Sequence, residues 1–286
     1  MADARGDGPL PAGVLAEIER MAVEFAQLAG DEIVRALGRT LEVRYKGGAA
    51  GAVSLMDPVS EVDHEVERLI RLRLAETFPE HDIVGEEVEE RTGREHDVVW
   101  VIDPIDGTTN FVNGFPLFAA SIGVLCRGGP VVGALWCSTG HLLRHGVYHT
   151  RLGAPLRFDG EPLEARRNVA VRRRLAGEPE ATSGGELPWD TRKTGSAAIE
   201  CAFVAAGLLE VARFERPNVW DVGGGVALVQ AAGGEARTRT EAGWVPLERF
   251  EVPAGGKDAP ADLRGWRQPL IVGERSAVDA LCQACA

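Results

Sequence analysis

Three short stretches of this 286-residue chain end apolar runs on acids. Val98 to Phe111 reads VVWVIDPIDGTTNF and places Asp103 and Asp106 past a greasy segment, with no Lys or Arg beside them. Ile83-Val84 runs into Gly85-Glu86-Glu87, and Trp220-Asp221 opens a third apolar segment. Each has an ordinary reading alone. Asp106-Gly107 makes a turn, Glu86 and Glu87 continue with Glu89 and Glu90 as a solvated loop, and Asp221 is an N-cap worth ~1 kcal/mol. Their combination reads differently, because the ends of buried segments converge at the edge of a sheet. Two carboxylates about 4 Å apart repel by ~4 kcal/mol at an effective dielectric of 20. Such a cluster needs protons or a cation. No His or Cys lies inside the motifs, and an all-oxygen set selects Mg²⁺ or Mn²⁺ over zinc. The chemistry implied is metal-assisted phosphoryl transfer to water. Phosphatases that pass through an aspartyl-phosphate use acids two apart, whereas Asp103 and Asp106 are three apart with Pro104 between them. That spacing favours a metal-activated water over a covalent intermediate.

Positioning these acids requires regular elements. Apolar positions three and four apart from Val14 to Leu37 predict an amphipathic helix stopped by Gly38. A Gly-rich loop follows around Lys46 to Gly51, where Lys46 reads as a surface lysine. Ser60 announces a second helix to about Thr77, with Ser60 and Asp63 spaced as in a capping box. Strands are predicted for His81 to Val84, Val98 to Asp103, Phe118 to Cys126 and Val131 to Trp136, with a hairpin turn at Gly128-Gly129-Pro130. Pro104 favours an extended Asp103, and Gly107 permits a sharp turn. A charged, loop-like zone from Gly153 to Arg192 divides the chain. Beyond it come a helix from Gly195 to Leu209, a strand from Val211 to Phe214 and a helix from Asp221 to Ala232. The order implies mixed α/β layers rather than repeated βαβ units.

Composition is that of a globular chain, 45% hydrophobic and 26% charged. The formal net charge of −12 disfavours nucleic acid or anionic membrane as partner. The cluster Arg166, Arg167, Arg172, Arg173 and Arg174 reads as a solvated edge, diluted by Glu164, Glu178 and Glu180. Five cysteines, an odd number, speak for a reducing compartment and against a disulfide framework. Cys282 and Cys285 form a lone C-x-x-C, read as incidental thiols. His141, His145 and His149 are four apart, but Gly140, Gly146, Val147 and Tyr148 place them on strands and a turn rather than around a metal. Without a signal segment or an apolar run of roughly 20 residues, a cytoplasmic protein is expected.

GEE, WVIDPIDGTTNFVNGFP and WDVGGGVALVQAAGG, in this order, together with DPVSEVDHEVE from Asp57 to Glu67, resemble the inositol monophosphatase family. The likeness runs from roughly Val14 to Gly273. It implies a layered α-β-α-β-α sandwich of the inositol monophosphatase and fructose-1,6-bisphosphatase type, in a lithium-sensitive homodimer that hydrolyses small phosphate monoesters with Mg²⁺. The halves expected are residues 14–155, carrying most metal ligands, and 156–286, carrying Asp221 and the substrate side, after a flexible 1–13. By resemblance, Glu86, Asp103 and the Ile105 carbonyl hold one ion, and Asp103, Asp106 and Asp221 a second. A third ion is held weakly by Glu86 through water, and Mn²⁺ is an alternative to Mg²⁺. Asp63, Glu86 and Thr108 are the expected catalytic residues, with Asp63 and Thr108 orienting the attacking water. Backbone amides around Gly107 and Thr108 would cradle the phosphate.

Departures fall on the substrate side. Relatives often carry a Glu seven positions before the last metal Asp, where this chain has Phe214; Glu215 takes the role if one residue is deleted. Gly195, Ser196 and Ala197 match a segment that touches the polyol. Gly223, Gly224 and Gly225 stand where alanines are usual, which implies close backbone packing or a fraying helix start at up to ~1 kcal/mol per glycine. The expected substrate is a small polyol phosphate such as inositol monophosphate. Histidinol phosphate, a sugar bisphosphate and a nucleotide 3′-phosphate are the alternatives, and a non-catalytic or moonlighting regulator is the reading from another class.

Overall fold

Val98 to Ile102 alternates between two cores, and that alternation sets the architecture. In the computed structural model Val98, Trp100 and Ile102 enter one apolar cluster, while Val99 and Val101 enter another. A strand sends successive side chains to opposite faces, so this one is buried on both. The structure describes residues 10–39, 43–47, 53–89, 96–165, 170–177, 187–252 and 262–285. The first nine residues, Gly48 to Gly51, Glu90, Arg166, Arg167, Glu178 and Glu180 lie outside them, as does the side chain of Lys46.

Helices α1 (Ala12–Ala36) and α2 (Glu61–Thr77) pack on one face of a seven-stranded sheet. That sheet runs in chain order through β3 (Asp82–Gly85), β4 (Val98–Asp106), β5 (Ala119–Cys126), β6 (Gly129–Cys137), β7 (Gly146–Arg151), β8 (Arg157–Phe158) and β9 (Glu161–Pro162). Only β3 and β4 are parallel neighbours. Helices α4 (Ala197–Ala205) and α5 (Val219–Ala231) fill its other face. A six-stranded sheet covers them in turn, ordered β11 (Trp189–Arg192), β10 (Arg174–Gly177), β12 (Val211–Phe214), β15 (Leu270–Gly273), β13 (Glu235–Thr240) and β14 (Gly243–Pro246). Helix α6 (Arg275–Ala284) closes the outer side through Ala277, Val278 and Leu281. The layers are α-β-α-β-α. A separate ribbon, β1 (Val43–Gly47) with β2 (Val53–Ser60), leads into α2.

Several sequence expectations need correction. The zone from Gly153 to Arg192 is not a plain loop. It contains β8 to β11, short strands whose charged residues face solvent at a sheet edge, so their pattern is not apolar. The segment read as loop at Lys46 begins inside β1. The hairpin turn lies one residue earlier than expected, at Arg127 and Gly128, both with positive φ, which leaves Gly129 and Pro130 in β6. Helix α4 stops at Ala205 rather than Leu209.

The three glycines of α5 are explained by close approach. A Cβ on Gly224 would stand 2.9 Å from the Ile122 carbonyl, and one on Gly223 2.7 Å from Val101 Cγ2. Gly123 and Gly133 face them from the sheet. Glycine on both surfaces lets the helix start sit directly against β5 and β6, and α5 is continuous from Val219.

Candidate active site

β4 carries two acids to one place by means of an irregularity. Side chains three apart on a regular strand point to opposite faces. Asp103 pairs with Ser121 and Asp106 with Ala119, so three steps along β4 match two along β5. That is a β-bulge, and it returns Asp106 to the face of Asp103. Pro104 sits in the bulge, where its missing N–H removes no regular ladder bond. The shared face is that of Val99 and Val101, which looks onto α5, and Ser121 Oγ there donates to the Trp220 carbonyl at 3.0 Å. Asp221 is thereby delivered to the same region from the first turn of α5.

Asp221 is not an N-cap, the ordinary reading of that residue taken alone. Asn218 caps the helix and Asp221 is the third residue in, accepting from Asn218 N at 2.8 Å and from Asn218 Nδ2 at 3.1 Å. Asp106 Oδ2 accepts from Ser196 Oγ at 2.6 Å and from Ala198 N at 2.5 Å. Ser196, the N-cap of α4, thus spends its hydroxyl on both the helix and the acid. The Glu86 carboxyl lies near enough to Asp103 to oppose its ionisation. Asp103 Oδ1 is buried with no hydrogen-bond partner.

Mutual repulsion inside the protein shows in the ionisation of these groups. Asp103 is pushed well above the ordinary carboxylate range by burial first, then by Glu86, Asp106 and Asp221. Asp221 is raised in the same way, by burial and Asp106, against the lowering pull of Asn218. Asp106 rises to about 6 through burial, partly offset by its bonds to Ser196 and Ala198. Asp63 also reaches about 6, from burial and the nearby Glu86, opposed by its bonds from Ser60.

Asp63 both caps and faces the site. Its Oδ2 accepts from Ser60 N at 2.9 Å and Ser60 Oγ at 2.6 Å, completing the capping box. Its Oδ1 lies 3.3 Å from Thr108 Oγ1, which is also 2.8 Å from the Ile105 carbonyl. Gly107, at φ 86°, turns the chain from β4 into the short helix α3 (Thr108–Val112). A Cβ there would meet the carbonyls of Leu117 and Gly195 at 3.1 and 3.2 Å. Asn110 Nδ2 ties the same two loops by donating to Leu117 O and Thr194 O.

Among the described residues no three His, Cys, Asp or Glu side chains already close on one point as a finished ion cage. Asp106 and Asp221 are instead turned onto protein donors. The donor set still suits a hard divalent ion: oxygen only, mutually repelling, with one buried oxygen left without a partner.

Beside the acids lies a cavity of about 270 Å³, lined by Lys193, Gly195, Ser196, Ala197, Arg213, Glu215, Arg216 and Asp221, among others. The structure therefore places the expected substrate residues together, next to Asp221. Glu215 is bonded to Arg213. A larger cavity of about 480 Å³ beneath α2, walled by Leu72, Leu74, Phe78 and Ile83, has none of these acids on its surface.

Against known proteins, residues 14–264 match the model of the inositol monophosphatase family. The chain belongs to the inositol monophosphatase family. It is 33% identical to an inositol-1-monophosphatase of Rhizobium meliloti over 82% of this chain and 90% of that one. It is 32% identical to inositol monophosphatase 1 of Solanum lycopersicum, over 78% and 84%. Among solved structures, the extragenic suppressor protein suhB of Bartonella henselae superposes with a TM-score of 0.70 at 26% identity, over 94% of this chain and 98% of that one. The protein is a phosphatase of this family's fold, and the family is generally metal-dependent and acts on small phosphorylated molecules. Among the described residues no helix is long and apolar enough to cross a membrane.

Sequence reasoning missed the residues that hold this family's acidic loop in place here. Glu67, buried, accepts from Glu87 N at 2.7 Å and Val88 N at 3.2 Å, and from Arg71 Nε at 2.8 Å. A signal existed: Glu67 lies four residues after Asp63 on the same apolar helix face, where a second carboxylate calls for partners. Glu200, buried beside Gly195, accepts from Thr194 N and Thr194 Oγ1 and fixes the loop before α4.

Proposed function

We propose that the protein hydrolyses a small polyol phosphate, such as an inositol monophosphate, in a Mg²⁺-dependent reaction in which water attacks phosphorus directly. The observation that carries this is the acidic cluster of buried Asp103 and Asp106 with half-buried Glu86 and Asp221: burial and the neighbouring carboxylates raise Asp103, Asp106 and Asp221, while Asp103 Oδ1 lacks any partner. Glu86, Asp103, Asp106, Asp221 and the Ile105 carbonyl would hold two or three Mg²⁺ ions, with Mn²⁺ as a substitute. Those ions supply positive charge against the phosphoryl oxygens.

The remaining work falls to this chain's own groups. Asp63 Oδ2 is occupied by Ser60, so Oδ1 alone can take a proton, and Thr108 Oγ1 stands next to it. The Thr108 hydroxyl has a single proton and two acceptors, Ile105 O and Asp63 Oδ1. Passing that proton to Asp63 as Thr108 receives one from the attacking water makes the pair a relay. A carboxylate at about 6 is matched to accept a proton near neutral pH. Gly107 and Thr108 amides at the turn would receive the phosphate, and Ser196 and Glu215 the substrate's hydroxyl side. The cavity is at the small end of ligand sites, which run ~300–1,000 Å³, and so suits a compact metabolite.

One observation favours a second substrate reading, a sugar bisphosphate. The cavity wall carries Lys193 and Arg216, neither paired with an acid among the described residues, while the Glu215 carboxylate is engaged by Arg213. Two unpaired cations suit a second anionic group on the substrate better than a neutral polyol.

A phosphate-release panel decides among these: inositol monophosphate, histidinol phosphate, a sugar bisphosphate and a nucleotide 3′-phosphate, each with Mg²⁺, with chelator and with added Li⁺. Release that needs Mg²⁺ and falls with Li⁺ is expected from at least one. No metal-dependent release from any small monoester would sink the proposal. The bisphosphate reading requires Arg216→Ala to raise KM for that substrate and leave the neutral polyol phosphate unaffected. The family likeness also supports a cytoplasmic homodimer, which light scattering of the purified protein would test.

A further inference from the structure

Resting on the metal-site reading above, we propose that Arg264 is a positioning residue that fixes the Glu86 loop against the Asp221 helix and so sets how tightly the acidic site holds Mg²⁺.

Glu86 lies just beyond β3, where the parallel ladder with β4 has ended. Only Glu86 N still reaches the sheet, donating to Ile102 O at 3.1 Å. The carbonyls of Gly85, Glu86 and Val88 are taken up by one side chain. Arg264 Nη1 donates to Gly85 O and, at 3.1 Å, to Val88 O; its Nη2 donates to Glu86 O at 3.2 Å. The same guanidinium lies over the indole of Trp220, 5.2 Å from the ring centroid. Trp220 is the residue before Asp221. A single planar group therefore binds the backbone of one proposed ligand and the immediate neighbour of another, although the two are 135 positions apart in sequence by their numbers, 86 and 221.

The chemistry needs arginine. A flat fork of five N–H donors can serve three carbonyls with its edge while its face rests on an aromatic ring, whereas an ammonium can do one or the other. Arg267 offers an internal contrast. It also covers Trp220, at 5.5 Å, but its Nη1 donates to Arg264 O and Trp266 O within its own turn. Among the described residues it makes no hydrogen bond to the Glu86 loop, although its charge lies near Asp221.

The loop has a second anchor on its other side. Glu67 and Arg71 of α2 bind Glu87 N, Val88 N and Val88 O. Without Arg264 the loop stays attached to α2 and, through Glu86 N, to β4, and the protein keeps its fold, but the direct tie from the loop to Trp220 of α5 is lost. What changes is the separation of Glu86 from Asp221, and with it the fit around an ion that must touch acids from both.

The test uses the full chain as Arg264→Ala, Arg264→Lys and Arg267→Ala. Mg²⁺ affinity is measured by titration calorimetry without substrate, alongside melting in chelator and the Mg²⁺ dependence of phosphate release. Outer-shell partners of metal sites are typically worth ~10–100-fold in affinity. A loss of about that size is expected for both Arg264 variants, with turnover recovering at saturating Mg²⁺, whereas Arg267→Ala, which removes a positive charge near Asp221, should bind Mg²⁺ no more weakly than wild type. Failure of the lysine variant to rescue affinity marks the fork, not the charge, as the working part. If Arg264→Ala does not fold, Arg264→Lys carries the same comparison. An Arg264 variant that melts earlier by the same amount with and without Mg²⁺, at unchanged affinity, shows a merely structural arginine and overturns the proposal. A wild-type protein that binds no Mg²⁺ overturns the metal reading, and this proposal with it.

Discussion

Replacing Asp103 by asparagine should make the protein more stable in chelator and nearly inactive with Mg²⁺. Asp103 is 2% exposed and its carboxyl is raised by burial, Glu86, Asp106 and Asp221 together. In chelator near pH 8 the folded chain must either keep a proton on the cluster or bear the repulsion. For two charges about 4 Å apart that repulsion has a ceiling of ~4 kcal/mol. An amide at position 103 is neutral at every pH and removes one charge from beside Glu86, Asp106 and Asp221. Allowing for imperfect geometry, ~1–3 kcal/mol of stabilisation is expected. At ~2–4 °C per kcal/mol for chains of about this size, the melting temperature should rise by ~2–12 °C. With Mg²⁺ the order should reverse. Ligand at a hundred times its Kd stabilises wild type by ~2.7 kcal/mol, and the variant forfeits that gain if Asp103 is the ligand proposed above. Differential scanning fluorimetry in chelator and in Mg²⁺, with phosphate release measured in parallel, gives all four numbers. If Asp103→Asn melts below wild type in chelator, or keeps full activity, the acids are a structural network and the argument from repulsion fails.

Further outcomes follow from the same geometry. In chelator, stability should fall as pH rises from about 4 through 6. Asp63, raised from an ordinary 3.8 to about 6, holds a proton in the folded chain that the unfolded chain has lost; once pH passes 6 this has cost ~3 kcal/mol. Asp103, Asp106 and Asp221 are shifted the same way and add to it; urea midpoints that rise with pH across this window would contradict it. Ser196→Ala removes the N-cap bond to Ile199 N and the hydroxyl on Asp106. It should cost ~1 kcal/mol of stability and lower kcat/KM by ~10-fold or more, with Ser196→Thr recovering most of both. Gly225→Ala would drive a methyl into Cys201 of α4 and should cost ~1–3 kcal/mol by urea titration; a change below ~0.5 kcal/mol would mean that α5 can move away from α4.

How much of this was legible in the sequence depended on whether the signal was local. Helices α1 and α2, the box of Ser60 and Asp63, and strands β4 to β6 follow from periodicity and capping within a few residues. The three glycines at 223–225 announced close packing because a helix start tolerates them only for a reason. Strands β10 and β11 were illegible: a four-residue edge strand such as Trp189–Arg192, exposed at Thr191 and Arg192, has no alternation to read. Arg264 was illegible for a different cause. Its partners are backbone carbonyls of a loop far away in the chain, and carbonyls have no side-chain identity that a sequence can display.

The bulge in β4 lies between these cases and shows how the acids become a site. On a regular strand Asp103 and Asp106 would project to opposite faces, one toward α5 and the other toward α1 and α2. A carboxylate on the latter face would sit among Ile102, Phe111 and Phe118, buried without a partner, at a cost of several kcal/mol. The odd spacing and the proline between the acids therefore argue jointly for an irregular strand, since Pro104 cannot serve a regular central ladder. With the bulge, Ile105 takes the apolar face, its carbonyl meets Thr108, and both acids turn toward Asp221. The same one-residue insertion that satisfies the core thus creates the repulsion that a divalent ion is needed to relieve. Deleting Ile105 would restore a regular register only by pulling Gly107 and Thr108 back by one position, so the strand can be made regular, or the site kept, but not both.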